Sequence, residues 1–139
     1  MTDLSGLTTA EARAAFLFPH GQSLVDRIPL RWSVTNGFPG PLSDRTPELV
    51  QESRQWTAPG IPPVGQDEAV LAAGRTLEAA GFTVTVGESE DTGFVTLRAT
   101  HLAGKVELMI GPGGCAVGAW TGPAPSDVRD RRRAERSRI

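Results

Sequence analysis

The chain has no tyrosine, a single cysteine, and one lysine (Lys105) among its 14 basic residues. Each absence excludes something. With only Cys115, no internal disulfide can form, so packing alone must hold the fold together. Two histidines and one cysteine, widely spaced, give no zinc pattern, and no metal or cofactor is expected. Without tyrosine, a common acid/base and contact residue is missing. No run approaches the ~20 apolar residues that cross a bilayer. Residues 1–16 lack the basic start and apolar stretch of a secretory leader. A soluble, cytoplasmic protein without membrane contact is the expectation. The formal net charge of −2 supplies no field that would gather nucleic acid over the whole surface. Thirteen arginines against one lysine, in a chain rich in alanine, glycine and proline, suggest a high-GC bacterial genome.

What is present is concentrated between Asp67 and Thr121. The stretch DEAVLAAGRTLEAA places Val70, Ala73, Leu77 and Ala80 near a 3.6-residue period, which predicts a helix ending at Gly81. Three alternating runs follow, FTVTV, FVTLRA and KVELMI, and CAVGAW is a fourth. They predict a β-meander in which Phe82, Val84, Val86, Val95, Leu97, Ala99, Val106, Leu108 and Ile110 share one dry side. The acidic segment Glu88 to Gly93 is a hairpin loop. It lacks the ligand spacing of an EF-hand.

Upstream, Thr8 with Glu11 has the form of a capping box opening a short helix to about Phe16, which Pro19 terminates. Ile28 to Thr35 alternates as a strand, placed at a sheet edge by Pro29. Asn36 to Pro41 reads as turn chemistry. Thr46-Pro47-Glu48 has the residue types of a helix start, and a helix to about Trp56 is expected, although its apolar face is thin. Ala58 to Gln66 reads as a Pro/Gly linker.

The expected fold is a two-layer α+β domain over residues 1–122. A mainly antiparallel sheet of four or five strands carries helices on one face, with 67–121 as its core. Residues 123–139 contain Arg129, Arg131, Arg132, Arg133, Arg136 and Arg138 with three acids and almost nothing to bury, which predicts a flexible basic tail.

A Cys–His nucleophile requires hydrogen-bond reach. His101 precedes the strand of Lys105 to Ile110 and Cys115 follows it, so about 20 Å separates them at ~3.3 Å per residue. Gly111 to Gly114 is followed by a strand without Lys-Ser/Thr, which excludes a phosphate loop. The open sheet face is the better candidate. If helices cover the aliphatic side, Phe94, Met109 and Trp120 project from the other beside Arg98, Glu107 and several threonines, forming a surface of the kind protein interfaces favour. The reading is therefore a non-catalytic binding or assembly domain, with a protein partner or self-association through that face. Nucleic acid could be contacted only through the tail arginines. Two alternatives stand beside it: a small enzyme or ligand-binding domain with a pocket between helix and sheet, which would need His20, Cys115 or Glu107 buried and perturbed, and an inhibitor or immunity-type protein.

Overall fold

A computed structural model describes residues 6–41, 49–62, 65–89 and 91–125, with side chains of 38–41 excepted. The elements run α1 (Ala10–Arg27), β1 (Ser33–Pro41), β2 (Leu49–Pro59), α2 (Gln66–Ala79), β3 (Thr83–Glu88), β4 (Val95–His101), β5 (Gly104–Gly111), β6 (Gly114–Thr121) and β7 (Ala124–Pro125). All pairings are antiparallel, in the order β1-β2-β6-β5-β4-β3, and β7 extends the line of β6 along β2. Both helices lie on one face, α1 over β6, β2 and β5 and α2 over β4 and β3. The two-layer α+β architecture is the one expected, with a larger sheet.

The meander follows the alternation of its sequence. Val95, Leu97, Ala99, Val106, Leu108, Ile110, Cys115, Val117 and Ala119 are all buried against the helices. α2 ends in a Schellman motif: the Phe82 amide donates to Leu77 O and the Gly81 amide to Glu78 O. Gly81 takes the positive φ of 96° that this geometry needs. Phe82 enters the core, but the row it begins dries out only partly. Val84 is half-buried and Val86 is 59% exposed, because β3 is the last strand and α2 reaches over only part of it.

The upstream expectations are corrected at several points. α1 does not stop before Pro19 but continues to Arg27, burying Ala14, Leu17, Gly21, Leu24 and Val25 in one stripe. Pro19 lies on the exposed side, so its ring and missing N–H cost one turn's bond without disturbing the packed face. The cap is Thr9, whose Oγ1 accepts from the Ala12 amide at 3.1 Å, one residue later than the box of Thr8 and Glu11 implied.

Ile28 to Trp32 is not strand. Ile28 closes α1 with its amide on Val25 O, and the strand begins at Ser33. Val34, expected on the dry side, is 57% exposed because no helix covers this edge. The turn expected over Asn36 to Pro41 is instead the continuation of β1, with a register break between Gly37 and Gly40. An outermost strand tolerates Pro39 and Pro41 since one side of it needs no donors. Residues 49–56, expected as helix, are the first part of β2. Val50, Trp56 and Ala58 sit on its buried side with Ser53, Gln55 and Thr57 opposite, a period of two. Thr46 to Glu48 lie outside the described residues. Of the segment expected as a tail, Ala124 and Pro125 pair with Val50 and Leu49, and Arg129, Arg131, Arg132, Arg133, Arg136 and Arg138 lie outside the described residues.

Candidate interaction face

Opposite the helices, the sheet presents a face that no described element covers. Strand register arranges its side chains in three cross-strand rows. One is Thr96–Met109–Ala116–Thr57, the next Arg98–Glu107–Gly118–Gln55, the third Thr100–Lys105–Trp120–Ser53. Met109 and Phe94 are 37% and 36% exposed. Trp120 is half-buried because its indole lies flat along β6: a Cβ on Gly118 would collide with the ring. Glycine at 118 is therefore what lets the ring lie on the sheet. The same device recurs at Gly111, where a Cβ would run into the Phe94 ring.

The expected site residues thus share a face but do not form one continuous apolar patch. Phe94 and Met109 border a shallow hollow of about 310 Å³ with Ala116 at its floor. Trp120 belongs two rows away, and its ring reaches back over Gly118 into the middle row. Between them runs a charged ladder. Arg98 Nε donates to Glu107 Oε1 at 2.8 Å, and Lys105 Nζ stands 3.5 Å from the same oxygen and 5.0 Å from the Trp120 ring centre. Exposed pairs of this type contribute little to stability. They fix the long side chains in place, and so give the face a defined polar pattern.

Glu107, one of the groups an enzyme would use, is thus tied up on the open face. Cys115 points the other way, into the core. Its Sγ donates to Gly60 O at 3.7 Å, and burial pushes the thiol above its ordinary range, away from thiolate. His101 pairs with Gly104 at one end of β5 and Cys115 with Ile110 at the other. No Cys–His dyad forms. Among the described residues, no group of three or more His, Cys, Asp or Glu side chains is placed to hold a metal ion. No described helix is long and apolar enough to cross a membrane.

His101 instead joins His20, brought by the unanticipated second half of α1. The rings of Phe16, His20, Phe82 and His101 form one cluster, with Phe16–His101 centroids 4.6 Å apart and His20–Phe82 5.2 Å. His101 Nδ1 accepts the Ala103 amide at 3.0 Å, which favours the neutral ring. Burial lowers the pKa of both histidines, and His101 lowers that of His20 further. With folded-state values below the unfolded ones, the unfolded chain binds more protons in the window beneath the ordinary 6.5. The stability contribution is present above that value and is lost as pH falls through the lowered ones. Wild type is expected to lose more thermal stability between pH 7.5 and 5 than His20→Gln does, as followed by circular dichroism melts. Equal losses would show that the cluster is not the acid-sensitive element.

On the helix side, near the α1 N-terminus, Glu52 is a further perturbed group. Its Oε2 is buried without a hydrogen-bond partner among the described residues, and burial, then Glu11, raise its pKa against the opposing pull of Arg54. Neither a family model, nor a curated protein, nor a solved structure matches this chain.

Proposed function

We infer that the protein is a non-catalytic binding domain that engages a protein partner through the open face of its sheet. The observation that supports this most is the composition of that face. An ordered ladder of Arg98, Glu107 and Lys105 is flanked by Phe94 and Met109 on one side and the flat indole of Trp120 on the other, with no described element over it. Aromatic, methionine and arginine side chains are those that interface centres favour, and a hollow between Phe94 and Met109 suits one inserted apolar side chain. The groups named for the enzymatic alternative are engaged elsewhere, Cys115 in the core, His20 in the ring cluster and Glu107 in the charged ladder. A cytoplasmic, bacterial setting fits this reading.

The test is capture of proteins from extracts of the source cell on immobilised wild type and on Met109→Asp. Met109 is 37% exposed, so the variant is expected to keep a cooperative melt with its midpoint within about 4 °C of wild type, as surface changes generally do. It is expected to lose at least tenfold in affinity for a captured protein. A partner retained equally by both would place binding elsewhere.

A further inference from the structure

The two ends of the sheet are not alike. β1 carries Pro39 and Pro41 and a register break, features that block addition of another strand. β3 has neither. Its six residues TVTVGE pair with β4 in unbroken register from Thr83↔Thr100 to Glu88↔Val95. The loop beyond is closed by the Ser89 amide on Phe94 O and the Gly93 amide on Ser89 O. Alternation along an antiparallel ladder then turns Thr83, Thr85 and Gly87 toward β4, and the backbone N–H and C=O of Val84 and Val86 toward the open edge. Those donors and acceptors lie beside a groove of about 600 Å³ between β3 and α2, whose wall includes Val84, Val86 and Leu71. Val86 and Leu71 are 59% and 56% exposed. Among the described residues no strand pairs with this edge, and the exposed aliphatic groove lies beside it.

We propose that this edge is a homodimer interface, in which β3 of one copy pairs antiparallel with β3 of a second about a two-fold axis through Thr85. The sequence of β3 is self-complementary in that register. Val84 falls opposite Val86 of the other copy, as an edge-facing hydrogen-bonded pair on the groove side, and Thr85 opposite Thr85 on the open side. Sliding by one residue on the partner would set Thr against Val and break the match of faces. Sliding by two one way would set Val84 against Glu88, and the other way would leave only Thr83 to Thr85 paired within β3.

β3 leaves α2 through Gly81 and runs back along it, so Glu88 lies toward the Asp67 end of the groove and Arg75 and Glu78 toward the other. Reversal of one copy brings the Asp67–Glu88 end alongside the partner's Arg75, which attracts it, and the partner's Glu78, which opposes it, so the pairing rests on the strand edge and the aliphatic groove rather than on charge. Because β1 resists pairing, the association closes at two copies rather than growing into a fibre. The joined sheet would present two interaction faces on the same side.

Light scattering during gel filtration at tens of micromolar is expected to give twice the chain mass, and Val86→Lys, at an exposed position, to return it to one while keeping a cooperative melt, with a midpoint that no longer rises with protein concentration. A second variant tests the register. Thr85→Cys, in a Cys115→Ser background, is expected to cross-link to a covalent dimer on mild oxidation, as a non-hydrogen-bonded pair allows. A monomeric wild type, a dimer that survives Val86→Lys, or a maleimide-reactive Thr85→Cys that yields no cross-link would each overturn the proposal. Met109→Asp is expected to leave this dimer intact, so failure of the sheet-face reading and failure of the edge pairing are read by different variants.

Discussion

Leu108→Asp is expected to leave the chain unfolded at neutral pH. Leu108 sits in the middle of β5, fully buried, with Leu97 across from it on β4 and Val117 on β6. Replacing it removes a core side chain at a cost of about 2–5 kcal/mol, as large-to-small changes do. The carboxyl adds the price of dehydration: ionised, it lacks a partner among aliphatic neighbours; protonated, it must first take up a proton well above its ordinary pKa. Several kcal/mol more are lost either way, against a total of roughly 5–15 kcal/mol for a domain. Val106→Asp, two residues along the same buried row and facing Ala99 and Ala119, is expected to behave alike. Met109→Asp is the control that makes the result specific. It places the same carboxylate one residue away on the open face, and is expected to fold. Far-ultraviolet circular dichroism of the three variants checks the assignment of faces. A cooperative native-like melt for Leu108→Asp would sink it.

That contrast between adjacent residues marks where the fold was readable from the sequence. From Gln66 to Thr121, α2, β4, β5 and β6 each carry their own period and their own stop. The helix stripe ends at a glycine, and each strand alternates over enough residues to fix its face. Local preference and tertiary burial agree there, so the order of residues suffices. Before residue 60 they disagree. Pro19 is a helix breaker by local rules, but the stripe of Leu17, Gly21, Leu24 and Val25 runs past it and gains more from docking than one missing bond costs. In β2 the buried side holds Val50, Trp56 and Ala58 but also Glu52 and Arg54, so its period of two is interrupted by charge. Arg54 is nonetheless accommodated on that side, its guanidinium 4.6 Å from the Phe18 ring centre. A cation whose partner comes from α1 leaves no trace in the local pattern. The candidate face was legible as a set of residues, since parity alone puts Phe94, Arg98, Met109 and Trp120 outside. Their separation into two apolar ends was not, because it depends on Trp120 folding back over Gly118, which parity does not encode. The β3 edge was hidden for the same reason: FTVTV predicts a dry row, and only the position of the strand at the end of the sheet shows that α2 leaves Val86 uncovered.

Trp56→Ala is expected to cost about 3–5 kcal/mol, a large share of the stability of a domain this size, and to do so by loosening α1 from the sheet. Trp56 is the largest side chain on the buried face of β2, and its indole stands against Gly21 in the middle of α1, where a Cβ would lie 2.6 Å from the ring. The helix can approach this closely only because residue 21 has no side chain. Glycine inside a helix itself costs roughly 0.5–1 kcal/mol relative to alanine, and here the contact with the ring offsets that penalty. Trp56 Nε1 donates to Gln22 Oε1 at 3.2 Å, so the ring is also held at its polar edge. Two substitutions separate these effects. Trp56→Phe keeps much of the ring but loses the hydrogen bond, and is expected to cost about 1–2 kcal/mol. Gly21→Ala should gain helix propensity and still destabilise, since the Cβ pushes on a ring enclosed by the core; in the Trp56→Ala background the sign should reverse, with Gly21→Ala becoming stabilising. Urea unfolding of the four combinations measures this coupling directly. If Gly21→Ala is stabilising in both backgrounds, the ring does not pack against residue 21, and the docking of α1 must be placed elsewhere.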